Sequence, residues 1–186
     1  MNIIPNNEWI KTDEDPILRK KLNELTFPLS KTDGEYLEKM INYIDSTYEG
    51  NNEKYHTKPG VAIAANQVGW NKRVIYLHFI YEHEEFRYLL ANPKVISFSQ
   101  GFCYLSDGEG CLSVEKKVDG FVPRRMKILI EAIDMNNENK KIKLSAHGFL
   151  AIALQHEIDH LNGILYYDHI NKEDPFFVDE DWSVVE

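Results

Sequence analysis

The feature that most constrains the fold of this chain is one apolar helix close to its C-terminal end. Residues from about Phe149 to Asn162 have the 3.6-residue periodicity of a helix, and Gly163 follows at a position that favours helix termination. Leu154, Ile158 and Leu161 share one face, and polar residues occupy only a narrow stripe. A helix of this composition must be covered by other elements, so we expect it at the centre of the fold.

The same helix contains a recognisable metal-binding pattern, the string His156-Glu157-Ile158-Asp159-His160. Two imidazoles one turn apart can bind the same metal ion, and the carboxylate beside the first can reach a water molecule on that ion. Buried histidines and carboxylates need partners, so the predicted burial favours a metal site over a surface helix with scattered histidines. The sequence therefore predicts a metal centre that contains His156 and His160.

The rest of the chain indicates a mixture of helices and antiparallel strands. Helical spacing occurs from Pro16 to Leu25 and, more clearly, from Gly34 to Tyr48, where Asp33 is the candidate N-cap. β-Branched and aromatic residues then predict strands at 73–80, 86–90, 94–98, 126–133 and 141–144. This order is typical of an α+β fold rather than of a parallel sheet. We expect residues 1–186 to form a single domain, with mostly antiparallel sheets packed around the C-terminal metal-binding helix.

Charge and cysteine content exclude several classes of protein. The 186 residues include 30 Asp and Glu against 21 Lys and Arg, a net charge of -9, which disfavours direct DNA binding or attachment to an anionic membrane. No apolar segment approaches the length of a membrane span, and the N-terminal residues lack the regions of a signal peptide. The only cysteines are Cys103 and Cys111, which suits a reducing compartment. We therefore expect a cytoplasmic location.

The residues after the helix argue against a zinc peptidase but leave that class open. A metzincin would have a third histidine where Tyr166 stands, and no methionine after Met135 can form its Met-turn. A thermolysin-like enzyme needs a downstream carboxylate ligand, for which Asp168 and Glu173 are the remaining candidates. Two alternatives stay open: a zinc metallopeptidase of the H-E-x-x-H type and a non-catalytic metal-binding module.

Two upstream strings complete a larger pattern with this helix. They are Gly60-Val61-Ala62-Ile63-Ala64-Ala65-Asn66-Gln67 and Glu109-Gly110-Cys111-Leu112-Ser113. Together with the residues from Gln155 to His160, and in this order and spacing, they resemble the G-x-G-x-A-A-x-Q, E-G-C-x-S and Q-H-E-x-D-H motifs of the peptide deformylase family. The resemblance extends from about Gly60 to Phe176, and the tail after Tyr166 looks like that of the longer bacterial subclass.

The resemblance implies a hydrolase that removes the N-formyl group from N-formylmethionyl ends of newly made proteins and releases formate. Cys111, His156 and His160 would bind one divalent metal ion, which the family resemblance suggests is Fe(II), while Zn, Ni and Co also suit these donors. Glu157 would move the proton, and the Gln67 amide with the Leu112 N–H would stabilise charge on the formyl oxygen.

The resemblance also implies where the peptide binds and which partners the chain has. The extended peptide is expected to lie beside Gly60, Val61, Ala62 and Ile63. The candidates for the apolar pocket of the methionine side chain are Val61, Leu112, Phe149, Ile152 and Ala153. The partners would be N-formylmethionyl nascent peptides and, through a transient contact, the ribosome.

Two positions of the first motif depart from the family pattern. Ala62 replaces its second glycine, and Asn66 occupies a position where proline is usual. We expect an ordinary extended backbone at Ala62, because Val61 and Ile63 flank it in a strand-like run.

Some side chains outside the motifs also carry expectations. Arg124 is expected to pair with Glu109 and to hold the cysteine loop. Cys103 is expected in the core, and the isolated histidines, His78 among them, are expected on the surface.

Overall fold

The computed structural model describes residues 3–186, so the first two residues of the predicted domain 1–186 lie outside the described part. The α-helices in this range are α1 (Lys31–Tyr48), α2 (Asn52–Tyr55) and α3 (Gly148–Leu161). The strands are β1 (Ala62–Ala64), β2 (Val74–Tyr81), β3 (Glu84–Phe98), β4 (Phe102–Leu105), β5 (Arg124–Arg125), β6 (Lys127–Asp134), β7 (Lys140–His147) and β8 (Ser183–Val185). None of the helices described here is long and apolar enough to cross a membrane.

The strands form two sheets, which confirms the predicted α+β class. The larger sheet has the order β1-β2-β3-β6-β7 with antiparallel neighbours throughout. The smaller has the order β5-β4-β8, in which β4 pairs antiparallel with β5 and parallel with β8. Strand β1 lies at an edge of the larger sheet, so one side of its backbone is free of strand partners within that sheet.

Helix α3 packs in the core, as its composition predicts. Leu154 and Leu161 are completely buried, in a cluster with residues of the larger sheet such as Ile75 and Ile130. The helix ends beside Gly163, whose φ of +76° is left-handed and whose added Cβ would lie 2.6 Å from the backbone of Arg19. Glycine is therefore required there both for the turn and for the close approach of the N-terminal segment.

The strand β3 corrects the prediction of two separate strands around Asn92-Pro93. It continues through this pair, and its register against β6 shifts between Ala91 and Lys94. Asn92 adopts a φ of +53°, and its side chain exchanges hydrogen bonds with the backbone of Leu25 at 2.8 and 3.0 Å. A β-bulge thus absorbs residues that would otherwise form a turn.

The N-terminal third corrects two further expectations. Helix α1 begins at Lys31, and its N-cap is Ser30 rather than Asp33, because Ser30 and Asp33 form a reciprocal capping box. The predicted helix from Pro16 to Leu25 is only a short 3-10 turn, Pro16–Arg19. After it the backbone bonds to other elements, as where the Leu22 N–H donates to the Leu161 carbonyl at 2.9 Å.

His78 is buried, with 6% exposure, so its expected surface position is wrong. Its Nδ1 lies 2.6 Å from Asp45 Oδ1 on α1, and its Nε2 lies 3.0 Å from Glu85 on β3. The Tyr48 ring stacks on the imidazole with centroids 3.6 Å apart. His78 therefore ties α1 to the hairpin of β2 and β3.

Candidate active site

Two segments bring three metal-binding side chains together. His156 and His160 lie one turn apart on α3, and Cys111 lies in the loop between β4 and β5. One donor atom from each of the three lies within 4.8 Å of the other two, and Cys111 Sγ is 3.3 Å from His160 Nε2. Tetrahedral coordination by two imidazoles with bonds of about 2.0–2.1 Å and one thiolate with a bond of about 2.3 Å separates the donor atoms by roughly 3.3–3.6 Å. The chain thus contains a possible metal site of the composition that its motifs predict.

A buried ion-pair network supports the metal-binding residues, and it contains the predicted pair of Arg124 and Glu109. Both side chains are 3% exposed, and the guanidinium donates to the two carboxylate oxygens at 2.7 and 2.9 Å. Glu109 Oε2 also lies 2.8 Å from His156 Nδ1, which leaves Nε2 of that ring to face the metal site. Asp159 joins the network unexpectedly, accepting from Arg124 Nη1 at 2.5 Å.

The network also sets the charges around the ligands. Burial disfavours ionisation of Glu109, but the adjacent Arg124 and His156 hold the pKa of its carboxyl at about 2. Burial lowers the pKa of His160 well below its ordinary value, which favours the neutral imidazole that a metal requires. The two histidines of α3 thus have different environments, because only His156 has a carboxylate within hydrogen-bond distance of its Nδ1.

Glu157, next to the ligand His156 in the sequence, is a further titratable residue of the site. It is 4% exposed, and burial raises the pKa of its carboxyl to about 7. Its Oε2 has no hydrogen-bond partner among the described residues. A carboxyl group with a pKa near neutrality can both accept and donate a proton, and the unpartnered oxygen is available to a group outside the chain.

Gln67 is positioned by the 3-10 turn Ala65–Val68 directly after β1. Its Oε1 accepts from the Ala64 N–H at 2.8 Å, while its Nε2 lies 3.2 Å from Ser113 Oγ and 3.5 Å from Cys111 Sγ. The amide N–H groups therefore point toward the cysteine loop, as the predicted role requires.

A cleft of about 490 Å³ opens onto these residues. Of the residues expected to contact a peptide, those that line it are Gly60, Val61, Ala62, Leu112, Phe149, Ile152 and Ala153. The Ile63 side chain instead is completely buried in the core beside Met40 and Tyr43, so only its backbone remains for that role. Lys58, Pro59 and Leu105 also line the cleft without having been predicted.

The residues at the positions where a zinc peptidase would have its third ligand make other contacts or are exposed. Tyr166, at the position of the third metzincin histidine, stacks on the His156 ring with centroids 6.1 Å apart. Asp168 accepts hydrogen bonds from Arg19 and from the Leu165 N–H, and Glu173 is exposed. None of the three belongs to the metal-binding group found among the described residues.

Chemistry of this kind belongs to metal-dependent hydrolases, in which three protein ligands leave a position for water and a nearby carboxylate moves the proton. The sequence profile of the polypeptide deformylase family matches residues 7–176, so the chain belongs to that family. Its activity is that of a peptide deformylase, a hydrolase, and neither alternative class is favoured.

Individual relatives extend the match over nearly the whole chain. The peptide deformylase of Ureaplasma parvum is 46% identical over 185 residues, covering 99% of this chain and 93% of that protein. The one from Malacoplasma penetrans is 40% identical, with 97% of each chain covered. A crystal structure of the class I type b peptide deformylase from Acinetobacter baumannii, with Met-Ala-Ser bound, has a TM-score of 0.70 and 26% identity, covering 91% of this chain and all of that one.

Proposed function

We propose that residues 1–186 act as one catalytic domain that removes the formyl group from N-formylmethionyl nascent peptides. The observation that carries the proposal is the position of Glu157 beside the Cys111, His156 and His160 donors in an open cleft. The methionine-led tripeptide in the Acinetobacter baumannii relative supports a substrate of this kind. We also propose a cytoplasmic location with transient ribosome contact, because nascent chains emerge there.

The donors fit one divalent metal ion. A thiolate with two imidazoles suits Fe(II), Zn, Ni and Co, and the unpartnered Glu157 Oε2 is available to a water molecule in the cleft. When bound, the ion would supply Lewis acidity, making water acidic enough to act as the nucleophile near neutral pH. We propose Fe(II) on the family resemblance. Activity should then decay in air, and full activity in an aerobic, zinc-only sample would contradict this assignment.

Glu157 moves the proton in the proposed mechanism. Its carboxylate takes a proton from the attacking water while the water oxygen bonds to the formyl carbon. The resulting carboxylic acid then gives that proton to the amide nitrogen as the carbon–nitrogen bond breaks. Formate and a free amino terminus result. A pKa of about 7 allows Glu157 both roles.

Gln67 and Leu112 stabilise the charge that develops on the formyl oxygen. The Gln67 Nε2 group is already directed toward the cysteine loop by its bond to Ala64 through the other end of the amide. The Leu112 backbone N–H follows the ligand Cys111 directly. Donors placed in advance in a buried site stabilise an oxyanion without reorganising.

The substrate peptide adds to the free edge of β1, and its methionine side chain enters the apolar cleft. An extended peptide can bond to an unpaired strand edge through its main chain, and β1 is such an edge. Phe149, Ile152 and Ala153 present the apolar wall of α3 to the cleft.

Formate release from formyl-Met-Ala-Ser tests the function, with the unformylated peptide as the control substrate. The wild type should release formate and leave the peptide bonds intact. Glu157→Ala should retain the metal but lose nearly all turnover, since it removes the proton carrier and no ligand. Glu173→Gln, at an exposed carboxylate, is the matched control and should keep wild-type activity. Peptide-bond cleavage, or wild-type turnover in Glu157→Ala, would overturn the proposal.

A further inference from the structure

Lys58 stands out among the residues that line the cleft. It is exposed, and it is the only lysine or arginine in the cleft lining that the structure describes. Across residues 3–186 its ammonium group forms no ion pair, while the two cleft carboxylates, Glu109 and Glu157, are buried. Glu109 is already committed to Arg124 and His156. Residues 58–60 form the rim of the cleft, and the positive charge of Lys58 on this rim has no ion-pair partner within the described chain.

The backbone that carries Lys58 is fixed by hydrogen bonds. Asn7 Oδ1 accepts from the Lys58 N–H at 3.0 Å and from the Tyr43 hydroxyl at 2.8 Å. Asn7 Nδ2 donates to the His56 carbonyl at 2.7 Å, and the Gly60 N–H donates to Thr47 Oγ1 at 3.2 Å. Two of these contacts anchor the rim to α1. A cation on a fixed backbone loses less freedom when it binds a ligand than one on a mobile loop.

The position of the rim relative to the metal ligands indicates which part of a substrate it meets. Gly60 contacts Leu112, since a Cβ built on Gly60 would lie 2.9 Å from Leu112 Cδ2, and Leu112 is next to the ligand Cys111. Lys58 lies two residues before Gly60, and two residues of extended chain span roughly 7 Å. A peptide that has its methionine beside Gly60 and Leu112, and that runs antiparallel to residues 58–60, would bring its third residue to the level of Lys58.

We propose that Lys58 is a specificity determinant that pairs with a carboxylate side chain at the third residue of the substrate. The inference rests on the proposed function, because it places the formyl group at the metal. The chain as a whole carries a net charge of -9, which repels acidic peptides. The ammonium of Lys58 reverses that repulsion locally, at the place where the peptide leaves the cleft.

The test compares two substrates that differ only in charge, formyl-Met-Ala-Glu-amide and formyl-Met-Ala-Gln-amide. The amide ends remove the terminal carboxylate as a competing anion. The wild type should favour the Glu peptide about two- to fivefold in kcat/KM, mainly through KM, as expected for a solvent-exposed ion pair. The preference should disappear in about 1 M salt, where the Debye length falls to about 3 Å.

Variants assign the preference to Lys58. Lys58→Met should hydrolyse the two peptides with equal kcat/KM, and Lys58→Glu should favour the Gln peptide. Lys54→Met is the matched control, because Lys54 is also exposed but lies outside the cleft lining and over the Tyr55 ring. It should keep the wild-type preference.

The outcomes separate this inference from the proposed function. If the wild type hydrolyses both peptides at the same kcat/KM, or if the preference survives in Lys58→Met, the role of Lys58 is refuted while deformylation stands. If neither formylated peptide releases formate, the proposed function fails and the inference fails with it.

Discussion

Replacing Arg124 by methionine should destabilise the fold and loosen the metal at the same time. The guanidinium is 3% exposed and bonds to two carboxylates, Glu109 at 2.7 and 2.9 Å and Asp159 at 2.5 Å. Methionine has a similar apolar stem but no charge, so it leaves both carboxylates without their main partner. The perturbation therefore removes charge compensation while keeping much of the packing.

The expected loss of unfolding free energy in Arg124→Met is about 3–5 kcal/mol, the cost of breaking a buried ion pair by removing one partner. We expect the lower end of this range, because each carboxylate keeps a histidine neighbour. Glu109 remains 2.8 Å from His156, and Asp159 remains 2.8 Å from His169. The metal affinity should fall by about 10- to 100-fold, because Glu109 loses the two Arg124 hydrogen bonds that fix it and so orients the ligand His156 less well.

Glu109→Gln separates the loss of stability from the loss of metal affinity. The amide keeps the shape of the carboxyl, and Arg124 keeps Asp159 as a partner, so the stability loss should be smaller, about 1–3 kcal/mol. The metal affinity should nevertheless fall as much as in Arg124→Met, since the charged partner of His156 is itself removed. The two variants should thus differ in stability and agree in metal retention.

Urea unfolding of the metal-free proteins measures stability, and metal release to a chelator measures retention. The control is Lys143→Met, which removes the cation of an exposed ion pair with Glu131 whose side chains are 64% and 54% exposed. That loss should stay below about 1 kcal/mol, with no change in metal retention. If Arg124→Met were as stable as this control and held metal as tightly as the wild type, the role assigned to the buried charges would be wrong.

Three further predictions concern the cleft and the cysteines. Burial raises the pKa of the Cys103 thiol to about 11. Iodoacetamide at pH 8 should therefore alkylate only Cys111 in the folded metal-free protein, and mass spectrometry can locate the modification. Alkylation of Cys103 before the protein unfolds would contradict this prediction. Gly60→Ala would place a methyl group 2.9 Å from Leu112 Cδ2. The value of kcat/KM for formyl-Met-Ala-Ser should therefore fall by about 10- to 100-fold, while the stability measured by urea unfolding should not change. A wild-type rate would disprove the contact. Ala62→Gly should cost about 0.5–1 kcal/mol of stability and leave kcat/KM nearly unchanged, whereas a large gain would show that the methyl group obstructs the substrate.

The parts of the site that sequence could predict are those encoded within one element or one motif. The core position of α3 follows from its apolar composition, and the facing of His156 and His160 follows from helical spacing. The pairing of Arg124 with Glu109 was also foreseeable, because a charge beside a buried ligand loop needs a partner. The role of Asp159 in this network also has a sign in the sequence, because Asp159 lies within the same motif as the two histidines.

The sequence-based predictions are wrong where contacts between distant parts of the chain determine the local structure. Asn92-Pro93 has the local chemistry of a turn, but pairing with β6 keeps β3 continuous, and the left-handed backbone of Asn92 absorbs the extra residues. His78 shows no ligand spacing, and its partners Asp45 and Glu85 come from two other elements. Lys58 precedes the first motif, which was the only sign in the sequence that it lines the cleft.

The two departures from the family pattern have different physical consequences. Ala62 lies in β1 without a positive φ, so the expected extended backbone is confirmed and glycine is not required by conformation. Asn66 is completely buried, and its Nδ2 donates to the His160 carbonyl at 2.7 Å.

Proline, usual at position 66, would restrict the turn through its ring but could not make the contact between Asn66 and His160. Asn66 instead joins the turn that carries Gln67 to the end of α3 by a hydrogen bond between distant parts of the chain. The restriction that proline would impose within the turn is thus replaced by a bond across the site, so the Gln67 turn and the ligand His160 are held together by one side chain.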